Sequence, residues 1–212
     1  MDYKQRLIEA GQRMLEKKLT VETWGNLSLR DPETERVYLT PSAMAYHTIA
    51  PEDVAVCDLE GNVLEGRRKP TIEKDLHLGI YRARPEINAI IHTHPIQSQV
   101  FAVLRRSIPP VMDEAAQVLG GSVEVANYAL PGTKELAHNA LTAMEGGKMA
   151  CLLANHGAVC VGKDMEEAFK VCAVLEMAAE IYRLALQIGT PHVLEPELVA
   201  EMWDFARNRY GK

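Results

Sequence analysis

Residues 87–95 read Ile87-Asn88-Ala89-Ile90-Ile91-His92-Thr93-His94-Pro95, and the rest of the chain is best read outward from them. From Ile87 to His92 the run is almost continuously apolar, the pattern of a strand buried on both faces. It ends in His-Thr-His. Residues two apart on a strand point to the same side, so His92 and His94 aim both imidazoles at one point. Two neutral imidazoles suit zinc or a related divalent transition metal. A histidine at a strand end also often does no more than satisfy a backbone carbonyl, and the spacing alone leaves both readings open.

Upstream, Pro70 opens a predicted helix over 71–84, with Leu76, Ile80 and Tyr81 on one face. Proline is unstrained there because its missing N–H had no partner. Before it come a helix over 3–18 and short strands at 26–30, 36–40 and 54–57, with a hairpin turn at 58–62. Downstream the pattern predicts a helix at 97–105, a strand at 122–128, a helix at 133–144 and strands at 149–153 and 158–161. A long helix over 165–187 follows, capped by Asp164. Its apolar residues fall on several faces, which predicts burial on more than one side. A last helix runs from Pro196 towards Tyr210. The expected fold is α/β: a single domain over 1–212, three-layer-like, with a central and mostly antiparallel sheet covered by helices.

Bulk properties narrow the function. The chain has 212 residues, 47% hydrophobic and 25% charged, which excludes disorder, and a net charge of −6, which gives no footing for nucleic acid. The start lacks the apolar core of a signal peptide, and no apolar run is long enough to span a membrane. Cys57, Cys151, Cys160 and Cys172 form no CxxC pair and read as buried free thiols. A small-molecule partner and a reducing, cytoplasmic setting are expected.

Three further segments carry candidate chemistry. His156, in Leu153-Ala154-Asn155-His156-Gly157, ends a buried strand next to a glycine that permits close backbone approach. It is the best third ligand, since catalytic zinc sites commonly use three protein ligands and leave a position open. Glu73 near the start of its helix is either a partner for the helix dipole or a general base. His77 lies four residues on, on the same helix face; it orients Glu73 or packs on the sheet. Trp24-Gly25-Asn26-Leu27-Ser28 and Thr40-Pro41-Ser42-Ala43-Met44 offer amide, hydroxyl and backbone donors to an anion, although turn chemistry also accounts for both. His47, His138 and His192 read as non-ligands.

In order, Gly25-Asn26-Leu27-Ser28, Leu39-Thr40-Pro41-Ser42, Lys69-Pro70-Thr71-Ile72-Glu73, Ile91-His92-Thr93-His94, Pro131-Gly132-Thr133 and Asn155-His156-Gly157 together resemble the class II aldolase/adducin-head superfamily, and within it the fuculose-phosphate aldolases. The match covers nearly the whole chain. The resemblance implies zinc, with manganese or cobalt as alternatives, on His92, His94 and His156, and Glu73 as catalytic base. It implies substrate phosphate on Asn26, Ser28, Ser42, Ala43 and Thr71, and Tyr210 reaching a neighbour's active site in a homotetramer. Asp113 stands where an active-site tyrosine is expected and is a second candidate acid. Ile72 replaces a hydroxyl donor, and Ala43 replaces a glycine. The implied activity is cleavage of a ketose 1-phosphate to dihydroxyacetone phosphate and an aldehyde. A sugar-phosphate 4-epimerase, and a dehydratase or decarboxylase, are the alternatives on the same scaffold. A non-catalytic module of the adducin type is expected to lack the three histidines.

Overall fold

The computed structural model describes residues 2–210. The apolar run becomes β5 (Ala89–Thr93), every residue of it buried. Around it the chain forms α1 (Tyr3–Glu16), β1 (Asn26–Arg30), β2 (Val37–Leu39), β3 (Ala55–Cys57), β4 (Val63–Glu65) and α2 (Lys74–Ala83). After β5 come α3 (Ile96–Leu104), α4 (Asp113–Leu119), β6 (Val125–Ala126), α5 (Lys134–Ala143), β7 (Ala150–Leu153), β8 (Gly157–Gly162), α6 (Met165–Ile188) and α7 (Pro196–Asn208).

The strands make one sheet in the order β4-β3-β2-β1-β5-β8-β7-β6. Every adjacent pair is antiparallel except β6 with β7. The α/β fold with a mostly antiparallel sheet is therefore as expected. In the centre, Asn26 of β1 pairs with His92 of β5, which pairs in turn with Val159 of β8. Cross-strand partners share a face, so Asn26, Ser28, Ile90 and His92 stand on one side of the sheet. His77 of α2 and Glu73, the residue just before that helix, meet them there.

Four elements differ from expectation for identifiable reasons. The α2 helix starts at Lys74, not 71, because Pro70 bridges to Pro41 and the Thr71 N–H donates to the Thr40 carbonyl, which keeps 70–71 extended. The strand expected at 122–128 shrinks to two residues. The short α4 was not expected, although Asp113 and Glu114 in its first turn and Gly120 in the left-handed conformation after it are ordinary start and stop signals. The α6 helix was expected to be covered on several sides, yet Met177, Ile181, Leu184 and Ile188 remain exposed in the isolated chain. Among the described residues no helix is long and apolar enough to cross a membrane, and the four cysteines are free and buried.

Candidate active site

Two glycines let the histidine-bearing strand sit where it does. Gly25 has φ +74°, and a Cβ there would lie 2.6 Å from the His92 carbonyl oxygen. At Gly157 a Cβ would lie 2.3 Å from the Thr93 carbonyl oxygen and 3.2 Å from His92 Cε1. Neither clash is with a flexible side-chain end, so each forces the backbone to move. Gly157→Ala is expected to cost about 1–3 kcal/mol, the usual range for overpacking, and to lower metal content measured on the purified protein. Wild-type melting and metal content would show that the strand has more slack than these distances allow.

His92 comes from β5, His94 from the residue after it, and His156 from the turn between β7 and β8. Their ring centroids lie 4.8, 4.8 and 5.1 Å apart, and one ligand nitrogen from each lies within 4.8 Å of the others. His92 Nδ1 is 3.0 Å from the Ala158 carbonyl oxygen. A carbonyl can only accept, so Nδ1 carries the proton and the Nε2 lone pair is bare. That Nε2 faces His94 Nε2 at 3.0 Å and Glu73 Oε2 at 3.2 Å. Glu73 Oε1 is 3.6 Å from His156 Nε2 and is buried with no hydrogen-bond partner. Lone pairs and a carboxylate converging on one point, with a buried oxygen left over, fit a divalent cation.

The charge states of the other two imidazoles fit a ligand set. Burial, the largest effect, pushes His94 down to about 3 and His156 down to about 4, so both imidazoles are neutral and ligand-ready at neutral pH. Burial works against the Glu73 carboxylate, but His92, His156 and the Asn26 amide outweigh it and hold its carboxyl well below the usual range.

These groups open on a cavity of about 330 Å³. Its walls include Asn26, Ser42, Ala43, Thr71, Glu73, His94 and His156, with Trp24, Ile72 and Pro131 beside them. No lysine or arginine lines it among the described residues. Ala43 has φ +53°, a left-handed conformation that explains why glycine suits this position. A larger cavity of about 500 Å³ beneath α7, walled by Pro109, Val193, Leu194 and Trp203 among others, carries no titratable side chain.

Two residues expected at the site, Ser28 and Asp113, stand elsewhere, and Tyr210, expected at a neighbour's site, lies away from its own. Ser28 is fully buried, and its hydroxyl is taken by His77 at 2.6 Å and Tyr81 at 2.7 Å, so it does not line the cavity. Asp113 is exposed at the start of α4. Tyr210 is 68% exposed, its ring beside Phe205 of its own chain. Sequence reasoning missed Tyr81 as a partner of the site. The only available signal was its position four residues after His77, and that gave it no role.

The class II aldolase and adducin N-terminal domain model matches residues 5–183. The chain belongs to this family. Among relatives in the family, a 5-deoxy-D-ribulose 1-phosphate aldolase of Bacillus thuringiensis serovar kurstaki is 36% identical over 98% of this chain and 95% of its own. A 5-methylthioribulose-1-phosphate/5-deoxyribulose-1-phosphate aldolase of Rhodospirillum rubrum is 38% identical over 89% of this chain and 83% of its own. A solved L-fuculose 1-phosphate aldolase superposes with a TM-score of 0.94 at 42% identity, covering 97% of this chain and 96% of that one. Family membership supports a lyase.

Proposed function

We propose that this chain is a divalent-metal-dependent aldolase, with zinc as the natural ion, that reversibly cleaves a ketose 1-phosphate between C3 and C4. What supports this reading most is the convergence of His92, His94, His156 and the Glu73 carboxylate on one point at the wall of a cavity lined by Glu73, His94 and His156. The three histidines would hold the ion, which supplies an electrophile for the negative charge that develops on the substrate oxygens.

The protein's own groups do the rest. In cleavage the C4 hydroxyl passes its proton to the group facing it and on to solvent, the C3–C4 pair moves onto C3 and spreads to O2, and the aldehyde leaves. Glu73, having taken up a proton from solvent, then delivers it to C3, completing dihydroxyacetone phosphate. In synthesis Glu73 removes that proton again, as a positioned base. Asn26, Ser42, Thr71 and the backbone around Ala43 would bind the phosphate through neutral donors.

The cavity still needs an acid for the C4 oxygen. Tyr210 of a neighbouring copy is the proposed source, in a cytoplasmic homotetramer. The uncovered apolar faces of α3 (Ile96, Val100, Val103, Leu104) and α6 (Met177, Ile181, Leu184, Ile188) support assembly. Light scattering is expected to give four copies; a fully active monomer would refute the shared site.

The substrate is tested by a cleavage screen over L-fuculose 1-phosphate, 5-deoxyribulose 1-phosphate and 5-methylthioribulose 1-phosphate, with dihydroxyacetone phosphate as the readout. At least one is expected to be cleaved. No release from any ketose 1-phosphate, with a C4-inverted sugar phosphate formed in its place, would move the assignment to an epimerase.

A further inference from the structure

Running back from Glu73 and the cavity wall at Asn26 is a line of buried polar groups that a solvated helix face does not need. Asn26 Nδ2 donates to Glu73 Oε2 at 2.9 Å. Asn26 Oδ1 is 2.5 Å from His77 Nε2. His77 Nδ1 is 2.6 Å from Ser28 Oγ, which is 2.7 Å from the Tyr81 hydroxyl. His77 and Ser28 are 0% exposed, Tyr81 1% and Asn26 5%.

The direction of every bond in the line follows from the charge at one end. An ionised carboxylate only accepts, so Asn26 turns its NH₂ edge to Glu73 and its carbonyl to His77. That carbonyl only accepts, so His77 Nε2 carries a proton. Burial, the larger effect, pushes His77 down to about 3, so the ring is neutral and Nδ1 is an acceptor. Ser28 must donate to it and accept from Tyr81. The opposite tautomer would set a ring lone pair against Asn26 Oδ1 and favour a flipped amide with its oxygen facing the carboxylate.

We propose that His77 is a positioning residue: backed by Ser28 and Tyr81, it fixes the Asn26 amide so that its NH₂ edge holds the Glu73 carboxylate in place for proton transfer at C3. The inference rests on the reading of Glu73 as the base. It places Asn26 between two tasks: one N–H of its amide holds Glu73, and the other is left for the substrate phosphate. A satisfied buried network alone would stabilise the fold and do nothing more.

The test is deuterium wash-in at C3 of dihydroxyacetone phosphate, followed by proton NMR on the metal-loaded protein, without any aldehyde. His77→Leu is expected to lower the saturated exchange rate per bound metal about tenfold to a hundredfold, the effect of releasing the Asn26 hydrogen bond to the charged Glu73, with little change in KM. His77→Gln, whose side-chain amide nitrogen reaches about as far as Nε2 and can donate, is expected to recover most of that loss. Ser28→Ala, which leaves the ring's tautomer unenforced, is expected to fall between them and serves if His77→Leu does not fold. Equal exchange per bound metal in the wild type and the variants, or a His77→Gln as impaired as His77→Leu, would overturn the positioning role. A wild type that washes in no deuterium would overturn the reading of Glu73, and this inference with it.

Discussion

Removing the metal is expected to abolish cleavage. Dialysis against a strong chelator should bring activity to background, and adding back zinc should restore it, with manganese and cobalt as comparisons. His94→Ala should do the same without a chelator, because it deletes one of three convergent nitrogens. The size of the effect follows from the chemistry. A carbon acid next to a ketone is too weak for an unaided carboxylate, and a metal electrophile contributes several kcal/mol to the developing charge. At about 1.4 kcal/mol per tenfold in rate, that is about a thousandfold or more. The fold should survive, since His94 lies beyond the end of β5 and is only partly buried. Full activity in a protein shown by elemental analysis to hold no divalent ion would overturn the metal-dependent reading.

Glu73→Gln is expected to separate metal binding from catalysis. The amide keeps the size of the side chain and can still accept from Asn26, so the metal content and melting temperature should stay near wild type. The proton acceptor is gone, and kcat should fall about 10²- to 10⁴-fold, the usual contribution of a positioned base. KM should move much less, because Glu73 acts on the transition state and the phosphate is held by other groups. Paired measurements of kcat, KM and bound metal decide it. Near-normal kcat would leave Glu73 only with its place at the N-terminal end of α2.

What the sequence could disclose depended on how local each feature was. The His92/His94 pair was legible because strand geometry puts alternate residues on one side over three positions. His156 was legible as a candidate because a glycine follows it, and the structure shows why: a Cβ on Gly157 would strike the Thr93 carbonyl. The helix at Glu73 was begun three residues too early, because the Pro41–Pro70 bridge that delays it is a contact between segments nearly thirty residues apart. Ser28 was misjudged for a related reason. Its hydroxyl suits an anion equally well on paper, and only the packing of α2 against β1 commits it to His77 and Tyr81. The exposed side of α6 shows the same limit from another direction. An apolar face reads alike whether its cover comes from the same chain or from another copy.

The place of β5 in the sheet bears on how the ion would be kept. Local opening of a protein begins at its frayed margins and costs most at the centre. Here the margins are β4, whose three residues are all exposed, and the two-residue β6. The strand with His92 lies inside, flanked on both sides by full antiparallel ladders. Breathing at either margin leaves the three imidazoles in register. A captured ion would therefore escape only through the mouth of the cavity, past Trp24 and His94, and its residence time would be set by that opening and not by the stability of the sheet.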